Sequence, residues 1–209
     1  MDENAFYDPA NFVYPAGTKG LSVGKKLHKL RMRSSDTAEL VLEDLEVGPD
    51  AVVGQVNSGF RDTMKNLAGG RVSIAALSVG IGLGAMREAL AYSKERVQFG
   101  HAVSEFQAIQ WMFADMGTEL EAAELMTFRA AALKDAGRPY TREAAMAKLF
   151  ASEAAMRATI KAVQVFGGYG YTQEYPAERY MRDAKLCEIG EGTSEVQRII
   201  IARDLIRSH

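Results

Sequence analysis

Three stretches of this chain, Gly59 to Arg96, Ser104 to Ala136 and Thr141 to Phe166, carry apolar residues at three- and four-residue spacing over lengths far beyond a strand. That period puts the apolar side chains on one stripe of a helix, and long helices with such stripes must bury them against one another. A further amphipathic run, Val196 to Ile206, supplies a fourth helix, so the expected fold is mainly α, built on a four-helix bundle. The boundaries have local causes: Ser104 can cap the second helix, Gly137 and Pro139 stop it, and Thr141 can cap the third. Between Glu119 and Ala162 the chain is rich in alanine, which favours helix and lets neighbouring helices approach closely. Before Gly48-Pro49 the pattern changes. Asn11 to Val47 mixes short apolar runs with glycines, and Glu39-Leu40-Val41-Leu42-Glu43 alternates in part, the mark of short strands joined by turns. The expected division is a β segment over residues 1–48, too small for a stable sheet domain alone, and a helical domain over 49–209.

Bulk properties exclude several function classes. With 209 residues, 47% of them hydrophobic, the chain can form one good core plus a small appendage. A net charge of −2 gives no general attraction to nucleic acid or to an anionic membrane. One cysteine, Cys187, excludes an internal disulfide framework, and the three histidines, His28, His101 and His209, are too widely spaced in sequence to suggest a metal site. No apolar run approaches the roughly 20 residues of a membrane span, and the polar start Met1-Asp2-Glu3-Asn4 is not a signal peptide. The expected location is the cytoplasm, or an organelle lumen after removal of a transit peptide.

The chemistry-bearing motifs are rich in glycine. Gly190-Glu191-Gly192-Thr193-Ser194-Glu195 sets a carboxylate between two glycines at the mouth of the last helix. Taken alone it has two readings. Glu191 is a base beside a substrate that lies against the backbone, or it complements the helix dipole while Ser194 and Gln197 form a capping box. Gly80-Ile81-Gly82-Leu83-Gly84 sits inside a helical pattern and does not follow a strand, so it reads as a close helix contact and not as a dinucleotide loop. Gly167, Gly168 and Gly170 end a long helix, and Arg96 precedes a turn at Gly100-His101; by themselves these are a C-cap and a solvated helix end.

Taken in order, Arg33-Ser34-Ser35-Asp36-Thr37-Ala38-Glu39-Leu40, Glu95-Arg96-Val97-Gln98-Phe99-Gly100, Phe106-Gln107-Ala108-Ile109-Gln110, Gln164-Val165-Phe166-Gly167-Gly168-Tyr169-Gly170-Tyr171, Tyr175 to Lys185, and the Glu191 segment strongly resemble the carboxy-terminal half of an acyl-CoA dehydrogenase. The resemblance runs from about Phe12 to Ile206. It implies the end of the family's β domain followed by its C-terminal helical domain, with the family's N-terminal helical domain and the first half of its β domain lying before the matched region. It also implies FAD as cofactor. Arg96, Phe99 and Gln107 match residues that reach across a subunit interface to the FAD phosphates and adenosine, Gln164, Gly167 and Gly168 match residues at the adenosine diphosphate end, and Thr193 and Glu195 match positions beside the flavin. Glu191 matches the base that removes the α-proton of an acyl-CoA thioester. In the family its backbone N–H, with a ribityl hydroxyl of the flavin, binds the thioester oxygen, and the β-hydrogen leaves as hydride to give a trans-2-enoyl-CoA.

The same resemblance implies substrate contacts at Arg71 and Gly192, a homodimer or homotetramer, electron transfer to an electron-transfer flavoprotein, and a separate chain as one source of the absent half. This chain departs from the family at four points. Gly70 stands where some members carry the base, Ala68 where an acidic residue is usual, Gly190 where a tyrosine is common and Arg31 where a glycine is usual. Two other readings stay open, a non-catalytic helical assembly partner of a dehydrogenase and an acyl-CoA oxidase-like enzyme. The length of the acyl group is not legible.

Overall fold

A computed structural model describes residues 10–208; the polar start Met1-Asp2-Glu3-Asn4 and His209 lie outside the described residues. The chain forms two compact units, one running to Leu67 and one from Ala68 onward. In the first, β1 (Asn11–Phe12) pairs antiparallel with β4 (Val52–Val53), and β2 (Leu21–Lys26) with β3 (Ala38–Leu42), in the register Leu21 opposite Leu42 with an irregularity between Val23 and Lys26. Pro49–Ala51 is a 3-10 turn immediately before β4. Val23, Leu40 and Leu42 each remain more than half exposed on these short ladders. Two-stranded ribbons of this length are marginal without a further layer to cover them.

The helical unit follows the sequence pattern closely. Among the described residues there are five α-helices: α1 (Gly59–Glu95), whose first turns belong to the first unit, then α2 (Gln107–Asp135), α3 (Thr141–Phe166), α4 (Ala177–Ile189) and α5 (Ser194–Ser208). The helix α4 has no counterpart in the periodicity reading, because nearly half of its residues are charged and it buries only Ala177, Ala184 and Cys187. At the centre lies α3, packed on α2, α4 and α5, and its buried face is mostly alanine, including Ala144, Ala147, Ala151, Ala155 and Ala158. Such small side chains let the helices approach closely, and Ala75 and Val79 of α1 meet Ala123 and Ala130 of α2 and Ala147 and Ala151 of α3 in one cluster.

The helix α1 is more apolar than run length alone suggests. An 18-residue window within it reaches a mean hydropathy of 1.5, enough by length and composition for a membrane span. Within it Ala75, Val79, Ala85 and Ala89 are buried and belong to the bundle's core clusters, and Ile81 is buried as well. The glycine triplet within it reads as a contact motif at two of three positions. A Cβ on Gly82 would collide with Leu120, one on Gly84 would lie 3.0 Å from the Tyr180 ring, and one on Gly80 would meet nothing within 4 Å.

Two expected caps are corrected. Ser104 lies in a 3-10 turn, and α2 begins at Gln107 after Phe106, with no side-chain cap; Thr141 is the first residue of α3, after Tyr140, again without a side-chain cap. Tertiary packing fixes these starts without the help of a hydroxyl. The end of α2 follows the sequence: Gly137 adopts φ 63°, its N–H donates to the Lys134 carbonyl, and the Arg138 N–H donates to Leu133. That paired pattern is the Schellman ending.

Candidate active site

The turn between α4 and α5 carries the Glu191 motif. Gly190 closes α4, its N–H donating to the Leu186 carbonyl at 2.8 Å, and the chain then enters the left-handed region at Glu191 (φ 56°) and Gly192 (φ 91°). Glycine takes that conformation freely, but at Glu191 it costs on the order of 1–3 kcal/mol and persists only where neighbours over-determine it. The capping box expected from Ser194 and Gln197 does not form. Thr193 caps α5 instead: its hydroxyl oxygen accepts the Val196 N–H at 3.4 Å, while the buried Ser194 hydroxyl has no hydrogen-bond partner among the described residues. The Thr193 hydroxyl also bonds the Glu195 carboxylate and, with the Glu195 backbone N–H, holds that carboxyl below its ordinary range.

The side chain of Glu191 crosses to α1. A Cβ built on Gly70 would lie 2.6 Å from Glu191 Oε2 and 3.0 Å from its carboxyl carbon, so the carboxylate occupies the notch that the glycine leaves. Beside it, Arg71 is buried, with its Nε unpartnered among the described residues. Burial pulls the Arg71 guanidinium down from its ordinary pKa, against the opposing pull of the Glu191 carboxylate and the Tyr140 phenol. Glu191, Gly192 and Arg71, three of the expected site residues, are thus brought to one place. Cys187 is buried, and its burial pushes the thiol up, consistent with a packing role.

A second cluster forms where α1 ends near the end of α3. A cleft of about 430 Å³ is lined by Tyr92, Arg96, Gly167, Gly168 and Tyr169, among others. Arg96 lies over the Tyr169 ring at 5.6 Å from its centroid, and Tyr92 stacks on Phe166 at 4.3 Å. Gly167, at φ 60° and ψ −134°, holds a conformation open essentially only to glycine, so it ends α3 and shapes the cleft together. The turn after Arg96 is centred on Phe99-Gly100, not on Gly100-His101: β5 (Val97–Gln98) and β6 (His101–Ala102) form a hairpin with φ 54° and 82° at its two central residues, as a type I′ turn requires. Phe99 at its tip is 91% exposed and touches Phe106 edge-on at 6.3 Å between centroids. Gln107 opens α2 and Gln164 lies in the last turn of α3, both exposed; neither lines the cleft, and nor does Phe99.

Two residues at the Glu191 turn escape a reading of the sequence for chemistry. Lys148 is fully buried on α3 and donates from Nζ to the Gly192 carbonyl at 2.8 Å. Gln197, also fully buried, donates from Nε2 to the same carbonyl at 2.8 Å and to that of Glu191 at 3.2 Å. The available signal was a lysine set within the alanine stripe of α3, where a cation has no solvent.

Residues 57–206 match the family model for the acyl-CoA dehydrogenase C-terminal domain. The chain is 52% identical over 196 residues to the short-chain specific acyl-CoA dehydrogenase of Clostridium acetobutylicum, covering 94% of this chain and 52% of that protein. It superposes on butyryl-CoA dehydrogenase from Megasphaera elsdenii with a TM-score of 0.96 at 43% identity, covering 99% of this chain and 54% of that one. A chain in a structure concerned with the electron transferring flavoprotein of Acidaminococcus fermentans matches at TM-score 0.93 and 50% identity, covering 95% of this chain and 52% of that one. The chain spans about half the length of the curated relatives it matches. It belongs to the acyl-CoA dehydrogenase family, whose C-terminal domain it carries.

Proposed function

We propose that this chain provides the C-terminal half of a FAD-dependent acyl-CoA dehydrogenase, with Glu191 as the base that removes the α-proton of a short acyl-CoA thioester. The observation that carries this reading is the Glu191 carboxylate, held on a left-handed turn and seated in the notch at Gly70 beside the buried Arg71. A thioester α-hydrogen is weakly acidic, so a base must be fixed against it while hydrogen bonds stabilise the enolate oxygen. Glu191 supplies the first and its backbone N–H half of the second. Arg71, beside it with an Nε unpartnered among the described residues, orients the substrate, and Gly192 leaves room for the acyl chain against the backbone. The names of the similar proteins, short-chain and butyryl-CoA dehydrogenases, favour a short acyl group.

The residues of the second cluster fit the dinucleotide end of FAD: Arg96 suits a phosphate, Gly167 and Gly168 leave open space, and Tyr92 and Tyr169 offer aromatic walls. Phe99, Gln107 and Gln164 would extend that surface outward, and Thr193 and Glu195 would hold the flavin end of the cofactor beside the base. Bound FAD supplies the acceptor for the β-hydride, so the product is the trans-2-enoyl-CoA. Phe99, exposed at a hairpin tip, supports completion of this surface across a subunit boundary, in a homodimer or homotetramer. The reduced enzyme passes its electrons to an electron-transfer flavoprotein, a reading supported by the A. fermentans neighbour.

The test is Glu191→Gln in the FAD-loaded protein assembled with the N-terminal half. The amide keeps shape and hydrogen bonding but is no base, so bleaching of the flavin by butyryl-CoA and α-proton exchange both fall by at least ~10²-fold. Flavin reduction within a few-fold of the unmodified protein would overturn the assignment, and hydrogen peroxide as the main product of turnover would move the enzyme to the oxidase class.

A further inference from the structure

The Glu191 turn is held in place by two side chains from outside it, and their convergence is the unusual feature of this part of the molecule. Lys148 Nζ and Gln197 Nε2 both reach the Gly192 carbonyl at 2.8 Å, and Gln197 Nε2 also reaches the Glu191 carbonyl at 3.2 Å. Neither residue has measurable exposure. A carbonyl oxygen has two lone pairs, and at Gly192 a donor from α3 and a donor from α5 use both. Burying a lysine inside a face made mostly of alanine is costly. The lysine sits opposite a strained stretch, consecutive left-handed residues at Glu191 and Gly192.

We propose that Lys148 and Gln197 are positioning residues that lock the peptide after Glu191 and thereby aim its carboxylate into the Gly70 notch. The proposal rests on the reading of Glu191 as the base. Released from these donors, the turn relaxes out of the left-handed region, and rotation about Glu191 swings its carboxylate away from Gly70. The lock acts mainly on rate, because it sets where the base stands and leaves Arg71, which orients the substrate from α1, intact.

The experiment uses the FAD-loaded, assembled protein and the variants Lys148→Met, Gln197→Met, Glu191→Gln and the double variant Lys148→Met/Glu191→Gln, with butyryl-CoA as substrate. Lys148→Met is expected to lower kcat and α-proton exchange about 10- to 100-fold with KM within about threefold, the scale of a base misplaced by an ångström. In the double variant the losses should not add: once Glu191 is gone, removing Lys148 costs nothing further. Amide hydrogen exchange should quicken over residues 190–194 in Lys148→Met and in Gln197→Met while α3 stays protected. If Glu191→Gln retains activity, the base assignment fails. If Glu191→Gln collapses but Lys148→Met keeps its kcat, or the two losses multiply, the positioning role is overturned and the base assignment stands. Failure of both Met variants to fold would also overturn it, by making the pair a packing requirement of the bundle.

Discussion

At the scale of single residues, the contact between Gly70 and Glu191 separates stability from chemistry. Gly70 lies inside α1, where alanine is the better helix former, and the atoms that a Cβ would strike belong to the free end of a carboxylate side chain that can move away. Gly70→Ala is therefore expected to leave stability unchanged or raise it by up to about 1 kcal/mol. It should also displace the carboxylate and slow α-proton abstraction on the order of 10- to 100-fold. Thermal melts and stopped-flow flavin reduction on the same variant check both halves. A parallel loss of stability and rate would mean that the notch is a packing feature alone. Sequence marked Glu191 and Gly70 as a pair only through family resemblance; that their atoms meet is a fact of how α1 lies against the α4–α5 turn.

At the scale of elements, the glycine triplet of α1 gives an internal control. Gly82 faces Leu120, which is fully buried and has nowhere to shift, and Ala155 on α3 stands 3.4 Å from the added carbon. Gly80 faces open space. Gly82→Ala should destabilise by about 1–2 kcal/mol through overpacking, whereas Gly80→Ala should stabilise by up to about 1 kcal/mol through helix propensity. Opposite shifts of the melting temperature check the pair, and equal shifts would refute the contact reading. Helix existence was legible here because apolar spacing persists over many turns. The starts of α2 and α3 were not: Ser104 and Thr141 offered plausible caps, but packing of the apolar stripes positioned the helices so that neither hydroxyl was used. The charged α4 went unseen because three buried side chains are enough to hold a helix whose partners are already in place.

At the scale of the whole molecule, the helical unit and the short ladders before it differ in what they can do alone. The bundle buries several apolar clusters, while Val23, Leu40 and Leu42 stay exposed on a ladder of two strands. The 209-residue chain expressed alone should therefore show the far-ultraviolet spectrum of a helical protein and a cooperative melt, yet carry little FAD. On the proposed function, binding energy for the flavin is spread over this chain and the N-terminal half, and an isoalloxazine left open to water would lose the dry surroundings that strengthen the base and its hydrogen bonds. Adding the N-terminal half as a separate chain should restore yellow colour and turnover together. Purification of the lone chain with near-stoichiometric FAD that butyryl-CoA bleaches would refute this dependence.

What the sequence determined by itself is what depends on local periodicity and on glycine. Long helices announce themselves through spacing repeated over many turns, and a glycine ends α2 and α3 wherever the backbone must turn left-handed, as at Gly137 and Gly167. The order of the motifs was enough to name the family. What only the tertiary structure decided is which distant residues converge. Nothing in the local sequence joins Lys148 on α3 to the carbonyl of Gly192, or Gly70 on α1 to the carboxylate of Glu191, since the first pair is 44 residues apart and both depend on the close approach of alanine- and glycine-faced helices. Small side chains leave no long-range signature in a sequence, because they fix how near two helices come and not which two will meet.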